Sequence, residues 1–367
     1  MMLKIDRSFP SDLQSLVAAA NARLSASHAV ARLWARDHRL WKEDPADITN
    51  RLGWLTIIEY MKDRAEDLLT FAASAKKRGI RDVVLLGMGG SSLGPEVLRT
   101  TFGPSNGFPR LWVLDSTVPG WIQQVTQAID PARSLFILAS KSGGTIEVMS
   151  LFAHFWELVH KTPGHQGGEQ FIAITDPGTG LEKLAAEHGF WRIFTNPPDI
   201  GGRYSVLSYF GLVPAALMGI DIARLLARAT AMDQACRIQS PLEQNPGADL
   251  GATMAALAQA GRNKITLIAS PQIAAFGLWA EQLLAESTGK EGTGLIPVAN
   301  EPIASPTAYG MDRLFVYLRL KGDQNRPLDR QVAKLAREGH PILTLILQDR
   351  YDLAGEFFRW EVATAMA

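Results

Sequence analysis

Val83-Val-Leu-Leu-Gly-Met-Gly-Gly-Ser-Ser-Leu-Gly94 is the stretch that decides the fold of this chain. An apolar run breaks into glycines and hydroxyls and continues into Pro95-Glu-Val-Leu-Arg99, which predicts a strand, an anion-holding loop and a helix start. Glycines let the backbone approach a ligand, and the free N–H groups of the first helical turn favour negative charge. Ser92 stands where a dinucleotide loop needs its third glycine, and no Gly-Lys-Ser/Thr follows. We expect a phosphate ester; the alternative is a turn that only permits close packing.

Composition narrows the classes of function. The 367 residues, 47% hydrophobic and 20% charged, can bury two cores. Lys plus Arg equals Asp plus Glu at 37 each, so we expect neither nucleic acid nor a membrane surface as partner. A lone cysteine, Cys236, argues against a disulfide framework and favours the cytoplasm. The histidines form no His-Glu-x-x-His pattern, so no metal is expected.

The alternation of apolar strand patterns and amphipathic helix patterns along the chain predicts an α/β fold with two doubly wound parallel sheets. Apolar strands with little alternation, separated by amphipathic helices, are typical of parallel sheets covered on both faces. We divide the chain into an N-terminal helical segment (1–78), a first sheet domain (79–240) and a second sheet domain (241–367). Long helices are predicted at 11–41 and 56–77. The predicted strands are 82–86, 111–114, 135–139 and 171–175, then 264–269, 295–298, 314–319 and 342–347.

Ser140-Lys-Ser-Gly-Gly-Thr145 follows the third predicted strand and opens a helix. Ligands of such sheets bind beyond the carboxyl ends of the strands. The hydroxyls of Ser140, Ser142 and Thr145 can donate to phosphate oxygens, and Lys141 can offset their charge. A helix cap would explain one hydroxyl but not three. Together with Ser91 and Ser92 in the first loop, this loop predicts a phosphate site closed from two sides.

Two further side chains are candidates for chemistry. Arg203 follows two glycines in Gly201-Gly-Arg-Tyr-Ser205, where a fixed cation could stabilise an oxyanion; a structural arginine at a helix start is the equal alternative. Glu286 ends an apolar helix, and apolar surroundings would suit a general base, although exposed glutamates at helix ends are commoner.

Taken together, these motifs resemble the glucose-6-phosphate isomerase family, which is built from two phosphosugar-binding (SIS) domains. Gly87 to Pro95, Ser140 to Glu147, Gly201 to Ser205 and Glu286-Ser-Thr-Gly-Lys290 are similar to the family's four site segments, in the family's order. Arg32-Leu-Trp-Ala-Arg-Asp37 and Gly355-Glu-Phe-Phe-Arg-Trp-Glu361 make the isomerase half of bacterial transaldolase fusions the nearest resemblance.

The resemblance implies an aldose-ketose isomerase that interconverts glucose 6-phosphate and fructose 6-phosphate through a cis-enediol. It assigns Glu286 as the base and Arg203 as the group that stabilises the enediolate. Ser91, Ser140, Lys141, Ser142 and Thr145 would hold the 6-phosphate of a hexose 6-phosphate, with backbone from Gly90. No redox cofactor or metal is implied, and a homodimer and a transaldolase fusion in the natural gene are left open.

Two departures from the family pattern keep an alternative in place. The family's ring-opening histidine has no counterpart in Ser305-Pro-Thr-Ala-Tyr-Gly-Met-Asp-Arg313, which leaves His340 as a weak substitute. The chain also stops at Ala367, where the family continues to a lysine-bearing segment, so we expect a truncated second domain. The alternative function is therefore a phosphosugar-binding sensor without catalysis.

Overall fold

The computed structural model describes residues 5–164 and 167–367. Its strands are β1 (Ile5–Ser8), β2 (Asp82–Gly87), β3 (Arg110–Leu114), β4 (Ser134–Ala139), β5 (Phe171–Thr175), β6 (Arg192–Thr195), β7 (Lys264–Ala269), β8 (Ile296–Ala299), β9 (Arg313–Leu320) and β10 (Ile342–Leu347). Its α-helices are α1 (Ser11–Ala26), α2 (Ala29–Trp34), α3 (Ile57–Lys62), α4 (Ala65–Lys77), α5 (Leu93–Phe102), α6 (Pro119–Ala128), α7 (Ile146–His160), α8 (Gly180–Glu187), α9 (Tyr209–Leu217), α10 (Ile222–Cys236), α11 (Pro246–Gln259), α12 (Phe276–Thr288), α13 (Arg326–Arg337) and α14 (Leu353–Met366).

These elements form two compact units. One unit is Asn50–Ala223, and the other combines Arg224–Ala367 with the described part of Met1–Thr49. The predicted divisions at 78/79 and 240/241 lie elsewhere in the chain. The segment 240–247, which lies at the predicted division, belongs to the second unit, because Asn245 donates to the carbonyl of Cys236 (2.7 Å) and accepts from the Ala248 amide (2.9 Å) to cap α11.

The sheet of the unit 50–223 has the strand order β3-β2-β4-β5-β6, and all its neighbours are parallel. Every residue of β2, β4 and β5 is buried. Since successive side chains of a strand point to opposite faces, both faces of this sheet are covered. The core includes the stacked rings of Phe136 and Phe171, and each fully buried aromatic side chain contributes roughly 1.5–3 kcal/mol.

The sheet of the second unit has the order β1-β10-β9-β7-β8. It is parallel except at its edge, where β1 runs antiparallel to β10 and Ile5 lies opposite Leu345. Asp249 on α11 is buried, pairs with Arg7 and accepts from Asn21 Nδ2 (3.0 Å). The N-terminal residues therefore belong to the second sheet, and the prediction of two doubly wound parallel sheets is confirmed with this antiparallel exception.

The N-terminal helices are shorter than predicted. The helix expected over 11–41 is interrupted at His28, which adopts a left-handed conformation (φ 52°), and the helix expected over 56–77 is split between Lys62 and Ala65. No helix in the described residues combines the length and the apolar character needed to cross a membrane.

Candidate active site

The loop after β2 packs through two glycines against the arginine loop, the segment 196–205 that follows β6 and contains Arg203. Gly89–Ser91 forms a 3₁₀ turn in which Gly89 has φ +55°. A Cβ added to Gly90 would lie 2.2 Å from both the carbonyl carbon and the oxygen of Gly202. Ser205 donates to the Gly202 carbonyl (2.6 Å) and approaches that of Gly90 (3.4 Å). Glycine is therefore needed at position 90 because two loops approach each other closely. Close packing was the alternative to phosphate binding that the sequence offered for the stretch 83–94.

The loop after β4 is ordered by its own hydroxyls. Ser140 is 2% exposed, and its Oγ shares a hydrogen bond of 2.8 Å with Thr145 Oγ1 and accepts from the Gly143 amide (3.1 Å). Thr145 precedes α7 but makes no side-chain cap bond to it. The first turn of α7 therefore keeps unsatisfied N–H groups beside these hydroxyls, which is the arrangement that binds anions.

Gly143 and Gly144 have different roles in this loop. Gly143 has φ +69°, and a Cβ there would lie 2.6 Å from Thr179 Cβ, so the position requires glycine. Gly144 is exposed, with no atom within 4 Å of an added Cβ, and Ser142 beside it is exposed as well. The face formed by Ser142 and Gly144 is accordingly open to a ligand.

The sheet brings these two loops together. β2 and β4 are neighbours, and Gly87, the last residue of β2, lies opposite Ala139, the last residue of β4. The chain passes from β2 to β3 on one side and then returns to β4 on the other, which makes the gap between β2 and β4 the topological switch point. Gly90 and Ser91 therefore start from the same sheet edge as Ser140, Lys141, Ser142 and Thr145.

Lys141 is held by two groups from neighbouring loops. Its ammonium group forms an ion pair with Asp176, which follows β5, and donates to the carbonyl of Pro198 (2.9 Å). The main chain supports the same contact, since the Asp176 amide donates to the Lys141 carbonyl (3.3 Å). Burial raises the pKa of the Asp176 carboxyl above its ordinary value, and the ammonium of Lys141 opposes this shift. The lysine assigned to phosphate is thus neutralised by a carboxylate.

Arg203 lies in the 3₁₀ turn Gly202–Tyr204 rather than at the start of a long helix. It is half-buried, and its guanidinium carbon lies 6.0 Å from the centroid of the Tyr204 ring. Tyr204 packs on Trp54, with ring centroids 5.1 Å apart. The Gly53 amide donates to the Asp199 carbonyl (2.8 Å), which anchors the start of the arginine loop. These contacts fix the backbone that carries Arg203.

Glu286 lies in the other unit, near the end of α12, and is exposed. Of the two alternatives given for Glu286, the structure has the exposed glutamate at a helix end: the residue falls on the outer face of the helix, where Gln282 donates to its Oε1 (2.9 Å). His340 is buried beside the Phe315 ring, and its Nε2 is 3.0 Å from the Pro306 carbonyl oxygen. A ring-opening group needs an accessible nitrogen, so this placement does not favour His340.

Sequence reasoning missed Asp176, Thr179 and Pro198. The signal for Asp176 was its position directly after a buried strand, at the edge where ligands of parallel sheets bind. Thr179 packs under Gly143, and its hydroxyl shares a hydrogen bond of 2.8 Å with that of Thr175. No spacing rule connects these residues with the lysine loop, because their contacts depend on the order of the strands.

Comparison with known proteins gives the family of this chain. A family model described as phosphoglucose isomerase matches residues 25–302. The glucose-6-phosphate isomerase of a Cyanothece species is 32% identical over 306 residues, which cover 79% of this chain and 56% of the relative. The chain spans about half the length of the curated relatives it matches.

Solved structures agree on the fold. A hypothetical protein from Thermus thermophilus matches with a TM-score of 0.80 at 23% identity, covering 98% of this chain and 93% of that one. A glucose-6-phosphate isomerase from Chlamydia trachomatis matches with a TM-score of 0.70 at 19% identity, covering 92% and 72%. Since the family match covers most of the chain, including the loops after β2 and β4, the arginine loop and Glu286, the chain belongs to the phosphoglucose isomerase family.

Proposed function

We propose that this protein is an aldose-ketose isomerase that interconverts glucose 6-phosphate and fructose 6-phosphate. The observation that carries the proposal is the family match over residues 25–302, which includes every segment assigned to binding or chemistry. Curated relatives with about a third of their residues identical are named glucose-6-phosphate isomerases. These names favour an enzyme over the sensor alternative.

The 6-phosphate binds at the gap between β2 and β4 in this proposal. Ser142 and Thr145 donate hydroxyl hydrogen bonds, the first turn of α7 supplies N–H groups, and Lys141 supplies charge. Ser91 and Ser140 are buried, and they contribute by shaping the two loops as well as by reaching the phosphate. Gly90 contributes main chain, held in place by its contact with Gly202.

Glu286 acts as the base in the chemical step. Its carboxylate removes the C2 proton of the open-chain aldose, negative charge develops on O1, and Arg203 stabilises this enediolate. The proton then returns from Glu286 to C1, while the O2 proton passes to O1, so that no atom or electron is gained or lost. The hydrogen bond from Gln282 orients the Glu286 carboxylate. This route needs neither a redox cofactor nor a metal.

The test replaces Glu286 with glutamine, which keeps the shape of the side chain but cannot take up the proton. General-base catalysis typically contributes about 10²- to 10⁴-fold, so exchange of the C2 proton of glucose 6-phosphate with deuterated water should slow by that order. NMR follows the exchange, and Glu281→Gln, a half-buried residue of the same helix, serves as the matched control.

Two results would contradict the proposal in different ways. Equal exchange rates for Glu286→Gln and the unmutated protein would remove Glu286 as the base. Binding of the sugar phosphate without any exchange in the unmutated protein would favour the sensor. A cytoplasmic location, a homodimer and a transaldolase fusion stay predictions.

A further inference from the structure

The ammonium group of Lys141 is largely committed to protein partners. It has three N–H donors, of which one faces Asp176 in an ion pair and another the Pro198 carbonyl. The side chain is about a quarter exposed. An anion at the loop after β4 therefore meets a lysine whose charge is already balanced.

Asp176 is placed unfavourably for a carboxylate. It is 8% exposed, and its Oδ1 is buried without a hydrogen-bond partner among the described residues. The charged groups that face it are Lys141 from the loop after β4, Arg51 from the 3₁₀ turn Thr49–Arg51 and Asp199 from the arginine loop. Lys141 and Arg51 favour the ionised carboxyl, while burial and the negative charge of Asp199 oppose it.

A bound dianion would shift the ionisation equilibrium of the Asp176 carboxyl towards its protonated form. It would attract the ammonium of Lys141 away from Asp176 and would place two further negative charges near a buried carboxylate. Like charges a few ångströms apart in a partly buried site disfavour ionisation of the weaker acid. The carboxyl of Asp176 can avoid this repulsion by taking up one proton from solvent. It then becomes neutral, and Lys141 is free to pair with the dianion.

Resting on the phosphate site proposed above, we propose that Asp176 is the counter-ion that sets the affinity of this site, and that dianion binding is coupled to uptake of one proton by Asp176. Lys141 exchanges Asp176 for the dianion when the ligand binds and returns to Asp176 when it leaves. Asp176 thereby weakens binding and favours release of the phosphorylated product.

The coupling has a definite sign. Protonation of Asp176 releases Lys141, so a dianion binds more tightly as the pH falls. Over the range between the pKa of Asp176 in the free protein and its higher pKa in the complex, affinity drops by up to tenfold for each unit of rising pH. The phosphate group of a sugar itself titrates at about pH 6, so the probe must be a dianion that does not.

Sulfate meets this requirement, and its binding can be measured by calorimetry from pH 5 to 8. We expect the unmutated protein to lose affinity with rising pH. Asp176→Asn, which cannot carry charge, should bind on the order of tenfold more tightly at pH 8 and show little dependence on pH. Asp115→Asn, which removes a carboxylate after β3 at the same sheet edge, should behave like the unmutated protein.

A second measurement needs no variant. Sulfate titrations of the unmutated protein at pH 6, in buffers with different ionisation enthalpies, should reveal net proton uptake, and Asp176→Asn should lack it. Equal affinities and equal pH dependence for the unmutated protein and Asp176→Asn would overturn the role of Asp176 while leaving the phosphate site standing. Absence of sulfate binding in both proteins would overturn the phosphate site itself and, with it, the coupling.

Discussion

Gly90 holds two loops in close contact at the site proposed for the phosphate. Its Cα lies so close to the main chain of Gly202 that a methyl group would overlap backbone atoms. Backbone cannot move aside as a flexible side chain can, so the loop after β2 and the arginine loop are fixed relative to each other at this point. Arg203 follows Gly202 directly in the chain, so its position depends on the contact between Gly90 and Gly202.

Gly90→Ala should therefore destabilise this pair of loops. Overpacking a closely packed contact costs typically about 1–3 kcal/mol, and the melting temperature should fall accordingly. Gly202→Ala is the matched control, because an added Cβ there has no atom within 4 Å. Thermal unfolding of both variants, followed by circular dichroism, measures the effect; similar melting temperatures for the two would contradict the contact.

Sequence alone assigned Lys141 to phosphate but not to its counter-ion. The spacing of hydroxyls, lysine and glycines in one loop is a local pattern, and local patterns are readable. The pairing with Asp176 joins residues 35 positions apart through the order of β4 and β5, which no local pattern encodes. The apolar neighbours of Glu286 in the sequence left its exposure open, and the structure shows that its side chain is exposed.

At the scale of elements, α14 buries an unusual carboxyl. Glu361 is 0% exposed, and neither carboxyl oxygen has a hydrogen-bond partner among the described residues. Burial raises its pKa well above the ordinary value of 4.5. The folded protein therefore keeps a proton that the unfolded chain releases above about pH 4.5.

This difference makes stability depend on pH through Glu361. Because the folded pKa is raised, stability is full below the unfolded pKa and declines with rising pH towards the folded pKa, by about 1.4 kcal/mol per unit. Glu361→Gln cannot ionise in either state, so its stability relative to the unmutated protein should increase between pH 5 and pH 8. Urea unfolding at both pH values measures it. Glu187→Gln, an exposed control on α8, should show no such change; parallel pH profiles for Glu361→Gln and the unmutated protein would contradict the prediction.

All eight strands that were predicted from the sequence lie within one residue of their predicted limits. The apolar runs are continuous in β2, β4 and β5 and interrupted by one threonine in β7 and β10, and they end at glycine or polar residues. β1 and β6 have four residues each, and α8 has eight. Elements this short carry few periods of the hydrophobic pattern, and no element was predicted between Thr175 and Phe194.

At the scale of the whole molecule, the limits of the units are set by contacts between the ends of the chain. Ile5 pairs with Leu345, and α1 packs on α11, which places the N-terminal residues in the second unit. Strand pairing between residues more than three hundred positions apart cannot be recognised from local sequence patterns. The same division places the proposed phosphate-binding residue Lys141 and the proposed chemical residue Arg203 in 50–223, and the proposed base Glu286 in the other unit.

Because Lys141 and Ser142 are proposed to bind the phosphate and Glu286 to move a proton, we predict that binding and chemistry can be removed separately. Lys141→Ala combined with Ser142→Ala removes a charge and a hydroxyl from the phosphate loop, and charge-assisted hydrogen bonds are worth about 1.5–3 kcal/mol each. Affinity for fructose 6-phosphate should therefore fall at least tenfold in calorimetry, whereas Glu286→Gln should keep its affinity and lose only proton exchange.

Lys161→Ala, which removes the same charge from beyond the far end of α7, should leave binding unchanged. Unaltered affinity in the double variant would place the phosphate elsewhere, and a parallel loss of affinity in Glu286→Gln would mean that its carboxylate binds the sugar in the ground state as well as acting on it.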